Sequence, residues 1–137
     1  MGQQQLLLII LGTLVVGIAV AGGIILFRGG AVNAARDAVS LDVEELAARA
    51  QVYYRKPNVM GGGNRSFLKP DRSGVIDIYN LTNTPRNQNG TYSIKSFPLS
   101  TADSIVILGV GFETVGAETV SVEAYVSDMN VRTVVLH

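Results

Sequence analysis

The apolar and polar positions divide the chain into three stretches with different periods. From Leu6 to Phe27 there is no period: 22 residues pass without a charge, and Thr13 is the only hydroxyl among them. As a helix, that length spans about 33 Å, enough to cross the hydrocarbon core of a bilayer. From Ala31 the pattern turns amphipathic. Val32, Ala35, Val39, Val43, Leu46, Ala50 and Tyr53 recur at steps of three or four, the spacing of one helical face. Glu45 and Arg49 stand four apart in acid-before-base order, which supports an exposed face. Pro57 ends the run, with Arg55 and Lys56 in the last turn, where positive charge suits the helix dipole. The pattern predicts one helix from about residue 3 to 56, with an apolar half in 1–30 and an amphipathic half in 31–57. Its length would be about 80 Å.

Past the helix, the glycine-rich stretch of residues 58–73 reads as a flexible connector; without a preceding strand or a Lys-Ser/Thr ending it is no P-loop. Period two then takes over. Strand-like runs occupy 74–81, 91–97, 104–112, 119–126 and 131–137. The fourth alternates cleanly, with Val120, Val122, Ala124 and Val126 on one side and Ser121, Glu123 and Tyr125 on the other. Asn89–Gly90 and residues 127–130 are turn signals. The expected fold class is α+β: a long N-terminal helix packed on a C-terminal antiparallel sheet of four or five strands in 74–137.

Glycines change the reading of the apolar segment. Each costs a helix about 1 kcal/mol relative to alanine, yet Gly12, Gly17, Gly22 and Gly23 lie within it and Gly29 and Gly30 follow. Gly12, Ala19, Gly23, Gly30 and Ala34 are spaced by seven, four, seven and four, which lines them up on one face. Such a stripe lets helix backbones approach closely, a property a solitary anchor does not need. Gly22–Gly23 and Gly29–Gly30 are the expected hinge positions, for bending or local melting. A cleaved signal peptide fits poorly, because its apolar region is shorter and is preceded by basic residues. Retention of the segment is expected.

Composition removes several function classes. The net charge is zero, which gives no support to a nucleic-acid partner. The absence of cysteine excludes disulfides, thiol catalysis and zinc–cysteine sites. The only histidine, His137, is the last residue and is expected to be frayed and solvated. Asp71, Asp77 and Asp103 are scattered without metal-ligand spacing, so no catalytic, metal or cofactor site is expected and the chain does not read as an enzyme. Sequons at Asn64, Asn80 and Asn89 are of the kind that Asn-, Ser- and Thr-rich loops produce by chance. Charge is segregated: residues 55–95 carry seven basic side chains against Asp71 and Asp77, and residues 96–131 carry five acids and no base. These segments either pair within one head or face each other between neighbouring heads.

An apolar helix half, an amphipathic half, a loop and an antiparallel sheet, behind Gly2-Gln3-Gln4-Gln5 and the apolar run, make this chain resemble the type IV pilin superfamily, both bacterial pilins and archaeal pilin-like filament subunits. The resemblance implies a subunit of a helical surface filament, used in adhesion, attachment or motility. It implies self as partner, a membrane-inserted precursor and pilus-type assembly machinery. It also implies Gly2 as the processing glycine, with removal of Met1 or of Met1 and Gly2. Two features depart from the family. No basic leader precedes Gly2, and the position of the usual glutamate falls on Leu7, with no acid in the first 30 residues. A pseudopilin-like secretion component and a monomeric membrane-anchored β-rich binding protein remain as alternatives.

Overall fold

The computed structural model describes residues 2–96 and 98–137. Met1, on which the processing expectation turns, and Phe97, the end of the expected strand 91–97, lie outside the described residues.

One helix, α1 (Gly2–Arg55), runs for 54 residues. It passes through Gly22–Gly23 and Gly29–Gly30 without a break in its α-helical assignment. Only its C-terminal part has a buried face, made by Val39, Val43, Leu46, Ala47, Ala50 and Tyr53. These are the amphipathic positions read from the sequence plus Ala47, with Val32 and Ala35 half-buried where the face begins. The expected Glu45–Arg49 pair forms on the exposed side at 2.6 Å.

Four strands follow: β1 (Gly90–Ile94), β2 (Ser104–Val115), β3 (Glu118–Ser127) and β4 (Val131–Val135). They form one antiparallel sheet in chain order. The fold is therefore α+β, a long helix laid mainly on β2 and β3 of a four-stranded sheet. Val120, Val122, Ala124 and Val126 are buried on the helix-facing side, and Tyr125 points away and is exposed. Ile105 and Ile107 of β2 pair with Val126 and Ala124 and share that face. Along the same side Gly109 and Gly111 leave room for the helix. A Cβ at Gly109 would lie 2.6 Å from Val43 Cγ2 and 2.9 Å from Val39 Cγ1. Side chains here would push α1 off the sheet, so glycine in mid-strand sets the layer spacing.

The fifth strand, expected over 74–81, does not form. Val75 makes one isolated bridge to Leu68, and Ile78–Asn80 is a short 3-10 turn. Its cause is local: Asn80 Oδ1 accepts from the Asp77 N–H at 2.9 Å, and the Asn80 N–H donates to the Asp77 carbonyl. Asp and Asn offer the backbone these bonds in place of a ladder. Ile76 and Ile78 are nevertheless buried, so the alternation marked core residues but not their backbone.

The glycine-rich connector is also more structured than expected, because it caps α1. The N–H groups of Gly63, Asn64 and Arg65 donate to the carbonyls of Tyr53, Lys56 and Tyr54 at 2.9, 2.9 and 2.7 Å. Carbonyls at the end of a helix lack partners within it, and the loop supplies them. A Cβ at Gly63 would sit 1.8 Å from the Ser66 carbonyl oxygen, so only glycine allows this fold-back. Beyond it, Phe67 is fully buried and stacks at a tilt on Tyr54, with ring centroids 4.9 Å apart.

Candidate functional site

The largest unsatisfied surface is the N-terminal half of α1. Every large apolar residue from Leu6 to Phe27 is more than half exposed, 53% at the least. Its most apolar window has a mean hydropathy of 2.7 and none of it is buried by the chain, so by length and composition this helix can cross a membrane. The stripe of small residues lies on the same bare surface. Nothing comes within 4 Å of a Cβ built at Gly12, Gly23 or Gly30, nor at Gly2, Gly22 or Gly29. Ala19 and Ala34 are exposed. The close approach that small residues permit is therefore not used inside one chain.

The head that carries this helix is tied together by two polar clusters, neither foreseen from the sequence as a cluster. Asp42 of α1 accepts three hydrogen bonds on Oδ2: from Tyr92 Oη at 2.5 Å, Asn87 Nδ2 at 2.8 Å and Asn89 Nδ2 at 2.8 Å. Partial burial opposes ionisation of Asp42, but its donors outweigh it and hold the carboxyl below the usual range. Burial, aided by the same carboxylate, pushes the Tyr92 hydroxyl up. The second cluster lies on the sheet face away from α1. Glu123 is buried there, bonded to Lys95 Nζ, and accepts from Tyr125 Oη at 2.9 Å. Lys95, with Tyr125, holds the Glu123 carboxyl below its ordinary value.

These contacts resolve part of the charge segregation within one head. Lys95 of the basic segment pairs with Glu123 of the acidic one, whereas Lys69 pairs at 2.7 Å with Asp77 inside the basic segment itself. His137, expected to be frayed, instead meets Glu118 through Nδ1 at 2.6 Å. Arg55 and Arg65 line a depression shared with Asp128 at the far end of α1. At the opposite end of the head, midway along α1, a groove separates residues 27–36 from the β2–β3 tip, with Arg28, Arg36 and Glu113 in its walls. The sequence holds a signal for it: Arg28, Val32 and Arg36 fall at successive four-residue steps just past the apolar run.

Among the described residues no group of three His, Asp or Glu side chains could hold a metal ion. The sequon residues Asn80 and Asn89 use their side-chain amides within the fold, on Asp77 and Asp42. The chemistry available is thus that of a surface: one bare apolar helix, a stripe of small residues along it, and a charged groove where it meets the head. None of the protein-family models, curated proteins or solved structures compared with the chain matches it.

Proposed function

We propose that this chain is a structural subunit of a type IV pilus-like helical surface filament, which polymerises through the apolar half of α1. One observation carries the reading. The core of the head is built from residue 39 onward, and an apolar helical surface more than half exposed is left outside it. In water that surface would be covered, since exposed apolar area costs about 25 cal/mol per Å². A bilayer covers it before assembly, and the helices of other copies cover it in the polymer. The stripe through Gly12, Ala19 and Gly23 supports the second cover, because helices gain little from one another in lipid unless small residues let them come close. On this reading the partners are the chain itself, the membrane and an assembly machinery, and the use is attachment, adhesion or motility at the cell surface.

The test is negative-stain microscopy of sheared surface material, with intact-mass measurement of the subunit. Long regular filaments whose subunit retains Leu6–Phe27 are expected. A mature protein that begins beyond Arg28 would sink the reading. Short assemblies would favour a pseudopilin-like role, and membrane-bound monomers alone would favour an anchored binding protein.

A further inference from the structure

The groove at the foot of the head lies directly against the end of the membrane-length segment. Its helical wall is Phe27, Arg28, Val32 and Arg36, and its opposite wall includes Glu113 and Thr114. Arg36 is the unusual member. Its Nε is buried and has no hydrogen-bond partner among the described residues. Neither Arg28 nor Arg36 belongs to any ion pair among the described residues, although Glu113 stands across the groove. A guanidinium donor withdrawn from water without an acceptor is costly, and natural structures supply one.

We propose that this groove binds the phosphate of an anionic phospholipid headgroup while Leu6–Phe27 occupies the bilayer. The position is right: Arg28 follows the last apolar residue, and helical side chains lean toward the N-terminus, so Arg36 reaches back toward the membrane surface. The polar layer on each side of the hydrocarbon is about 5–8 Å deep, within reach of such side chains. The charge is right: two arginines against one glutamate leave one net positive charge, matching a single phosphodiester. The donor is right: guanidinium offers a planar fork that fits phosphate oxygens, and Arg28 and Arg36 both line the groove. Glu113 disfavours a second phosphate and limits the groove to one headgroup. The inference needs only that the apolar segment enters a bilayer. It therefore holds equally for a filament subunit before assembly and for a lone anchored protein, and absence of filaments would leave it standing.

The experiment uses the full chain reconstituted in vesicles of phosphatidylcholine with a minor share of phosphatidylglycerol. After mild extraction into a neutral detergent, native mass spectrometry counts the lipids that stay bound. Phosphatidylglycerol is expected to be retained in preference to phosphatidylcholine, with retention about fivefold weaker for each arginine replaced in Arg28→Gln and Arg36→Gln. Arg36→Lys keeps the charge but loses the fork, so it too should retain less. Arg55→Gln, at the far end of α1, should behave as wild type. Circular dichroism checks that each variant folds, and Arg28→Gln, at an exposed position, serves if Arg36 variants do not. Equal retention by wild type and the Arg28 and Arg36 variants overturns the proposal, as does an equal loss in Arg55→Gln. Inorganic phosphate bound in place of the lipid, in a parallel sample without phosphatidylglycerol and then in competition with it, overturns the lipid assignment.

Discussion

At the residue scale, Glu123 and Gly109 are each confined by two or three neighbours. Glu123 is a buried carboxylate that the sequence placed on the side of the strand opposite Val120, Val122, Ala124 and Val126, and it is kept charged by Lys95. Its folded-state pKa lies below the ordinary 4.5, so its contribution to stability is complete above that value and is lost as pH falls through the depressed one. Asp42 acts in the same direction through its three donors. Denaturant titrations at neutral and acid pH should therefore show stability falling on the acid side. Glu123→Gln should flatten that slope while lowering neutral-pH stability by about 1–3 kcal/mol. An unchanged slope would mean that Lys95 does not hold the carboxylate. Gly109 makes a purely steric prediction. In Gly109→Ala the new methyl meets Val43 and Val39 well inside contact distance, and the cost should be about 1–3 kcal/mol, read as a lower denaturation midpoint with an unchanged m-value. A neutral substitution would show that α1 can move off β2 freely.

At the element scale, α1 is one helix in geometry with two surroundings, a packed C-terminal half and a bare N-terminal half. The C-terminal half owes its place to packing: Val39, Val43, Leu46, Ala50 and Tyr53 lie under β2 and β3, and the loop at Gly63–Arg65 closes its last carbonyls. The N-terminal half has no such support, and in water its glycines would cost it stability. Gly23→Leu separates the two. Nothing lies within 4 Å of a Cβ there, so the isolated chain accommodates leucine, and the head should keep its melting temperature and circular dichroism. Among the described residues nothing in the chain itself meets the larger side chain, whereas a closely packed neighbouring helix would. If the chain assembles as proposed, filament yield by microscopy should drop sharply. Normal filaments would mean that the small-residue stripe plays no part in contact between copies.

For the whole molecule, the division of labour predicts which force holds an assembly. The ion pairs of the head are partly internal: Lys95–Glu123, Lys69–Asp77, Glu118–His137 and Glu45–Arg49 all close within one chain. Exposed pairs between heads would each be worth about 0.2–1 kcal/mol and would be screened by salt. The bare apolar half of α1 offers far more. If the chain polymerises as proposed, its filaments should therefore survive molar salt and come apart in detergent, which competes for the Leu6–Phe27 surface. Sedimentation of sheared material in each condition decides it. Dissolution by salt with resistance to detergent would assign cohesion to the heads instead.

What the sequence alone determined is whatever depends on period and length. The apolar run, the amphipathic stripe from Val32 to Tyr53, the alternation in Val120–Val126 and the turn at residues 127–130 all reappear as drawn, because each is a property of consecutive residues. The α+β class follows from their order. Tertiary structure decided the rest, for reasons a linear pattern does not carry. Residues 74–81 alternate like a strand, yet side-chain bonds between Asp77 and Asn80 turn the backbone, and among the described residues the only strand partner is the single bridge from Leu68 to Val75. The glycines at 61–63 look like a connector, and only the end of α1, folded back against them, makes them a cap. Asp42 becomes a tie, and Glu123 a buried charge, through partners 28 to 50 residues away. The bare apolar surface of α1 belongs to both accounts. The sequence shows that it is apolar, and only the folded chain shows that the head, already closed around its own core, leaves it uncovered.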